Sequence, residues 1–402
     1  MSETIKILLL ENIHPTAHEM LKAEGFVVEG MSQALKGDEL KKKLQGVHIL
    51  GIRSKTQVTR EILEAAPELL SIGCFCIGTN QVDLVTANRR GIPVFNAPFS
   101  NTRSVAELMI AEIIMLARQL GDRSREVHEG NWKKTATSCY EIRGKTLGII
   151  GYGHIGSQLG VLAEAMGMRV IFYDIQTKLP MGNNRSCPDL DTLLAESDFV
   201  TLHVPETPQT KNMIGAAELG KMRKGSYLLN ASRGTVVVLP ALADALRSGH
   251  LAGAAIDVYP EEPESNGEGF QCPLRGLPNV ILTPHIGGST AEAQAAIGRE
   301  VATSLLRFAR FGTTTSAVNF PQVEVPRIAN THRIMNVHRN VPGVLRDINR
   351  IVSDRGANIQ SQILATDPEI GYLIMDLNQD ISDAVCEDMD ALPTSIKTRV
   401  VF

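Results

Sequence analysis

Apolar residues near the start of the chain come in short continuous runs separated by amphipathic stretches. Ile5–Leu10, Phe26–Val28, His48–Ile52, Leu69–Cys76 and Pro93–Asn96 predict strands, and His14–Gly25 and Asp38–Leu44 predict helices. Strands that alternate with helices imply a parallel sheet, here flavodoxin-like and without a glycine fingerprint of its own. Two longer apolar stretches predict long helices. One opens at Ser104 with Glu107 three residues on and runs to Leu120; the other opens at Ser289 with Glu292 and runs to Arg310. Both openings read as capping boxes. Between them lie further strand patterns at Phe199–Val204, Ser226–Asn230, Gly253–Val258 and Asn279–Leu282. The middle of the chain is thus expected as an insert, 101–287, in a discontinuous first domain formed by 1–100 and 288–320, with a cleft between the two. Residues 313–330, rich in Thr and carrying Pro321 and Pro326, read as a linker. The remainder, 331–402, alternates as βαββαβ, a ferredoxin-like small domain.

The insert opens on its most informative stretch. A strand ending at Ile150 meets Gly151-Tyr152-Gly153-His154-Ile155-Gly156, then a helical run, then a second strand that stops on Asp174. Strand, glycine turn, helix, strand and acid form the dinucleotide fingerprint of a Rossmann-type domain. Gly151 permits the turn, Gly153 lets a pyrophosphate approach backbone, and Gly156 lets the helix pack closely. The helix N-terminus offers unpaired N–H groups to phosphate. An acid at Asp174 suits the ribose hydroxyls of NAD and repels a 2′-phosphate.

Composition narrows the rest. Of 402 residues, 43% are hydrophobic and the net charge is −4. That supports sizeable cores and excludes the basic surplus of a nucleic-acid or anionic-membrane binder. No run approaches the roughly 18 apolar residues of a membrane span, and Met1–Leu10 is too short for a signal-peptide core, so a cytoplasmic protein is expected. Six scattered cysteines show no paired spacing, and no metal site is expected. Cys74-Phe75-Cys76 reads as small apolar residues at a strand end.

The strand-end motifs carry a family resemblance. Besides the glycine turn, Asn230-Ala231-Ser232-Arg233-Gly234, Ala255-Ile256-Asp257-Val258 with Glu262-Pro263, and Thr283-Pro284-His285-Ile286-Gly287-Gly288 follow in order. With Asn96–Ser104 and His338-Arg339-Asn340-Val341-Pro342-Gly343, they make the chain resemble the D-isomer-specific 2-hydroxyacid dehydrogenases. Within that family it is most similar to the bacterial phosphoglycerate dehydrogenases that carry a C-terminal ACT domain. The resemblance implies NAD-dependent oxidation of 3-phospho-D-glycerate to 3-phosphohydroxypyruvate, the opening step of L-serine biosynthesis, with 2-oxoglutarate reduction as a side activity. It also implies inhibition by L-serine and a homo-oligomer, a tetramer by the family pattern.

Oxidising a secondary alcohol needs a base, a cation for the neighbouring carboxylate and a hydride acceptor. His285 titrates near neutrality and is the candidate base; Arg233 offers a planar fork to the carboxylate and 2-oxo group. By the resemblance, Glu262 pairs with His285, and the cofactor contacts are Gly151, Gly153, His154, Ile155, Gly156, Asp174, Ala231, Ser232, Arg233, Asp257, His285, Gly287 and Gly288. His203 and Pro205 are expected along the adenine side. The substrate phosphate falls to Arg53 first, then Ser54, Lys55, Asn101 and Lys134. Some phosphoglycerate dehydrogenases place an arginine in the loop where this chain has Cys74-Phe75-Cys76, so the resemblance specifies the phosphate grip less fully than the carboxylate grip. In serine-sensing relatives the positions of His338, Asn340 and Asn358 bind serine at a dimer interface, and Val341 stands where arginine is frequent. Two alternatives remain at this stage: another 2-hydroxyacid dehydrogenase, such as a glyoxylate or hydroxypyruvate reductase, or a nucleotide-sensing co-repressor of the same fold. The ACT domain and the basic loop at Arg53 speak against the first. An intact Arg233, Glu262 and His285 with no basic tail speak against the second.

Overall fold

The computed structural model describes residues 4–263, 266–379 and 381–401. The chain divides into two compact units, Met1–Ser100 with Gln294–Phe402, and Asn101–Ala293.

The first unit begins with β1 (Lys6–Leu9), α1 (Pro15–Ala23), β2 (Val27–Gly30), α2 (Gly37–Lys43), β3 (Ile49–Ile52), α3 (Arg60–Glu64), β4 (Ser71–Cys74), α4 (Leu84–Arg89) and β5 (Val94–Phe95). Its strands pair in parallel in the flavodoxin-like order β2-β1-β3-β4-β5. The central strands β3 and β4 are buried throughout, which explains their unbroken apolar runs. The helices α3 and α4 are too short for a helical period to stand out in sequence. Cys74 lies in the core, where burial pushes its thiol well above the usual range, and none of the six cysteines is in a disulfide.

The second unit holds α5 (Thr102–Arg118), α6 (Leu120–His128), β6 (Thr146–Ile150), α7 (His154–Ala165), β7 (Arg169–Tyr173), β8 (Arg185–Ser186), α8 (Leu190–Glu196), β9 (Phe199–Leu202), α9 (Ala216–Lys221), β10 (Tyr227–Asn230), α10 (Leu239–Arg247), β11 (Gly253–Ile256) and β12 (Val280–Leu282). Seven parallel strands run β12-β11-β10-β9-β6-β7-β8. The winding reverses between β6 and β9. In doubly wound sheets ligands bind at that reversal, outside the carboxyl ends of the strands.

Both expected capping boxes shift. The helix α5 starts at Thr102 with Asn101 as its N-cap, so Ser104 falls inside the first turn, where its hydroxyl meets Thr290 Oγ1 at 2.8 Å. The helix α11 (Ala291–Phe311) is capped by Thr290, whose Oγ1 accepts from Ala293 N at 3.2 Å, one residue after Ser289.

The C-terminal part comprises β13 (His332–Arg339), α12 (Val344–Asp354), β14 (Ile359–Thr366), β15 (Ile370–Leu377), α13 (Ser382–Asp390) and β16 (Ser395–Val400). Its antiparallel sheet has the ferredoxin-like order β14-β15-β13-β16. One face packs on α12 and α13 through Ile334, Ile348, Met375 and Val385. The other face joins the first unit's core, with Met335, Val337, Tyr372 and Ile374 beside Phe95, Phe308 and Phe320.

The stretch expected as a linker is a packed strap. Phe320, Val323 and Val325 point into that core, and Val94 N donates to Asn319 Oδ1 at 2.8 Å. Its end is riveted by Arg333, which is fully buried. Arg333 pairs with buried Asp376 through bonds of 2.7 Å and donates to the carbonyls of Phe311, Val325 and Pro326. A Pro- and Thr-rich composition conceals this because Thr313, Thr314 and Pro321 are buried although none is a typical core residue.

Candidate active site

The dinucleotide turn lies at the sheet reversal. Gly151 sits at φ +90°, and a Cβ there would meet the carbonyl oxygen of His203 at 2.4 Å, so only glycine fits. A Cβ on Gly156 would lie 2.2 Å from Gly151 O, which shows how tightly α7 packs on the turn. Gly153, the N-cap of α7, is different: a Cβ there meets nothing within 4 Å. Open space at a helix N-terminus with backbone exposed is what a pyrophosphate needs. Asp174 follows β7; its Oδ2 accepts from Tyr152 N and its Oδ1 from Gln176 N, both at 2.9 Å. Each carboxylate oxygen keeps a lone pair for a ribose hydroxyl. His203, at the end of β9, meets Thr201 Oγ1 at 3.0 Å, and burial pushes its imidazole down to about 3, so it stays neutral. These residues fit an NAD molecule.

Three neighbouring loops carry the candidate chemistry. After β10, Asn230 Oδ1 accepts from Ser232 N and Oγ, and its Nδ2 donates to Arg233 O. That closes a turn that projects Arg233, whose Nη1 donates to Ser232 O at 2.6 Å. A Cβ on the following Gly234 would lie 1.9 Å from the carbonyl carbon of Tyr259, so this turn is clamped against the loop that carries Glu262. Glu262 Oε1 accepts from Tyr259 N at 3.2 Å, and its Oε2 meets His285 Nδ1 at 2.8 Å.

The pair is electrostatically polarised. The hydrogen bond to Glu262 lifts the His285 pKa; burial opposes it, the charges of Glu262 and Asp257 add to it, and Arg233 subtracts. Burial pushes the Glu262 carboxyl up, but His285 and Tyr259 N–H outweigh that and hold it below the usual range. With Nδ1 committed to Glu262, Nε2 is the ring nitrogen available to a substrate hydroxyl.

His285 itself adopts φ +54°, an unfavourable left-handed conformation for a residue with a side chain. What holds it is Asp257. His285 N donates to Asp257 O at 2.8 Å. The Asp257 carboxylate accepts from Thr283 Oγ1 at 2.6 Å and from Ile286 N and Gly287 N at 2.8 Å each. Asp257 is buried, and most of its acceptor capacity goes to the His285 loop. Gly288 packs on Asn101, whose amide nitrogen would lie 2.7 Å from a Cβ there.

The other candidates fall into separate places. Arg53 and Ser54 follow β3 in the first unit, whereas Asn101 and Lys134 belong to the second. Asn101 is buried, and Lys134 is exposed in an extended stretch beside Trp132, which is 85% exposed. In the ACT part, His338 Nδ1 meets Asn336 Oδ1 at 2.8 Å and Asn340 Nδ2 donates to Asp367 O at 2.7 Å. His338 pairs with Gly371 and Ile359 pairs with Leu377. Asn358 thus lies at the far end of the sheet, roughly 20 Å away at about 3.4 Å per residue. Within one chain, His338 and Asn340 come together and Asn358 does not.

The family model for the D-isomer specific 2-hydroxyacid dehydrogenase NAD binding domain matches residues 110–287, and that for the AHAS small subunit-like ACT domain matches 334–397. The D-3-phosphoglycerate dehydrogenase of Dictyostelium discoideum is 58% identical over 400 residues, covering 100% of this chain and 98% of that protein. The chain belongs to the D-isomer-specific 2-hydroxyacid dehydrogenases. The dehydrogenase is also 52% identical over 403 residues to the D-3-phosphoglycerate dehydrogenase of Escherichia coli (strain K12), covering 100% of this chain and 98% of that one. Among solved structures it resembles the NAD-dependent formate dehydrogenase from Staphylococcus aureus in complex with NAD. That match has a TM-score of 0.66 at 30% identity and covers 76% of this chain and 95% of the other. The dehydrogenase is an NAD-dependent oxidoreductase of the 2-hydroxyacid class.

Sequence reasoning missed two buried acids. Glu11, at φ +61° after β1, is buried and accepts from the backbone N–H groups of Arg53, Lys55 and Thr56 at 2.9–3.1 Å. It shapes the basic loop while leaving the Arg53 side chain free to project. Glu112, on α5, is buried with both carboxylate oxygens unpartnered. Burial and the nearby Asp257 charge push its carboxyl up to about 8. A glutamate directly after a strand is the one signal that marked Glu11; nothing in an apolar helix singled out Glu112.

Proposed function

We propose that the protein is a D-3-phosphoglycerate dehydrogenase, oxidising C2 of 3-phospho-D-glycerate to 3-phosphohydroxypyruvate and so opening L-serine biosynthesis. The observation that carries the chemistry is the His285–Glu262 pair, 2.8 Å apart and anchored beside the Arg233 turn. Arg233 holds the substrate carboxylate through its planar fork, which sets the C2 hydroxyl toward His285. His285 Nε2 takes the hydroxyl proton, and Glu262 stabilises the imidazolium that results. Bound NAD+ supplies the acceptor for the hydride leaving C2. In the reverse direction the raised His285 pKa keeps a proton on Nε2 for the 2-oxo group, which suits reduction of 2-oxoglutarate as a side activity. The phosphate is gripped by Arg53 and Ser54 on the loop that Glu11 organises, with Asn101 and Lys134 as further contacts.

The ACT part senses L-serine. His338 and Asn340 lie at one end of the sheet and Asn358 at the other, so a pocket using all three needs two chains related by a twofold axis. With the exposed Trp132 as a second association point, the assembly is a homotetramer. Six cysteines outside any disulfide suit a reducing cytoplasm.

The test is a substrate screen followed at the NADH absorbance. Turnover should be greatest with 3-phosphoglycerate, His285→Ala should abolish it while NADH still binds, and millimolar L-serine should inhibit wild type but not Asn340→Ala. Preference for an unphosphorylated 2-hydroxy acid would overturn the substrate assignment, and insensitivity to serine would overturn the regulatory one.

A further inference from the structure

A groove of about 690 Å³ lies between α4 and the edge of the ACT sheet, wholly within the first unit. Its walls are fixed. Asn88 Nδ2 donates to Asp367 Oδ2 at 2.7 Å, and Arg89 forms a two-pronged bond to Glu369 at 3.1 and 3.2 Å. Four cations line the groove, Arg89, Arg90, Arg339 and Lys397, against the single carboxylate of Glu369. Among the described residues, Arg89 alone of the four has a carboxylate partner. Arg90 Nε is buried without a hydrogen-bond partner, and Lys397 Nζ has only the carbonyl of Leu69, at 2.6 Å. Arg339, also on the lining, is exposed.

Uncompensated like charges converging on one concavity are costly unless something anionic sits among them. The strain is visible at Lys397, where burial first, then Arg90 and Arg399, push the ammonium down to about 8. We propose that this groove is a binding site for a small multiply charged anion, a phosphate ester or a polycarboxylate, that bridges α4 and the ACT sheet. A zwitterion such as serine suits it poorly, since three free cations repel an ammonium. Two guanidinium forks and an ammonium match a tetrahedral dianion well. The volume lies within the range of small-molecule sites. The geometry also predicts a proton linkage: an anion beside Lys397 favours its charged form, so binding at pH 8 takes up a proton.

Sulfate is the probe, because it does not titrate in this range. The full chain, saturated with NADH to fill the dinucleotide turn, is titrated with sodium sulfate by calorimetry at constant ionic strength, with sodium chloride as the control. Wild type should show a saturable site that Arg90→Gln and Arg339→Gln each weaken tenfold or more. Repeating the titration at pH 8 in buffers of different ionisation enthalpy should reveal proton uptake that vanishes at pH 6.5. Sulfate heats identical in wild type and both variants, or a response that chloride reproduces, would overturn the proposal. Arg339→Gln is exposed and should fold normally, so its result stands even if Arg90→Gln is unstable.

Discussion

Replacing Asp257 by asparagine tests whether the His285 loop is positioned from below. The carboxylate accepts from Thr283 Oγ1 and Ile286 N on one oxygen and from Gly287 N on the other. An amide has one carbonyl oxygen. If it replaces the first, the new NH2 faces Gly287 N–H, donor against donor; if flipped, it faces Ile286 N–H instead. Either way one buried backbone N–H loses its partner, at about 1–3 kcal/mol. The left-handed conformation of His285, which costs roughly 1–2 kcal/mol, would then be held less firmly. A shift of about 1 Å in a positioned group costs roughly 100-fold in rate. Asp257→Asn should therefore lower kcat by about 10- to 100-fold while NADH affinity stays within about threefold, and lower Tm by roughly 2–4 °C per kcal/mol. Steady-state kinetics, equilibrium NADH binding and thermal unfolding measure the three quantities. The opposite split, native kcat with weakened NADH, would mean that Asp257 serves mainly as a cofactor contact and that the positioning argument is wrong.

The remaining predictions address charge and space. Glu262→Gln removes the largest cause of the raised His285 pKa, so the acid limb of kcat/KM for oxidation should move to lower pH while kcat falls; an unmoved limb would disconnect the pair. Glu112 has a folded pKa raised to about 8 from 4.5, so the native state binds the extra proton and stability falls as pH rises between those values. Glu112→Gln should abolish that slope, and its Tm advantage over wild type should grow from pH 5 to pH 8; a constant difference refutes it. Gly153→Val places a side chain in open space, so Tm should hold while NADH binding weakens at least tenfold; unchanged NADH affinity would mean that no phosphate sits there.

Much of the fold is legible because its cause is local. The fully buried runs at β3 and β4 could only be central parallel strands, and the glycine turn declared its own geometry. Where the reading slipped, distant contacts decided. The first long helix has its N-cap three residues before Ser104, whose hydroxyl meets Thr290 instead of capping, and the strap at 313–330 packs because Arg333 and Asp376 hold its end. His285 and Glu262 were legible as types, but the Gly234 clamp that brings Arg233 to their side was visible only in three dimensions.

The least legible feature recurs three times. Glu11 follows β1 and fastens the loop after its neighbour β3; Asp174 follows β7 and fastens the turn after β6; Asp257 follows β11 and fastens the loop after β12. In each case the acid follows one parallel strand and accepts at least one backbone N–H from the loop of the adjacent strand. The reason is general. At the carboxyl edge of a parallel sheet the ladder stops while the loops turn away, leaving N–H groups that must be satisfied. A carboxylate supplies several acceptor sites at once and makes stronger bonds than a neutral group. The same edge is where ligands bind, so rigidity there serves the chemistry directly. Sequence shows each acid and each loop but not which pairs with which, because the pairing follows sheet order and not chain order. The sequence therefore shows neither that Asp257 fastens the His285 loop nor that Glu11 holds the loop of Arg53.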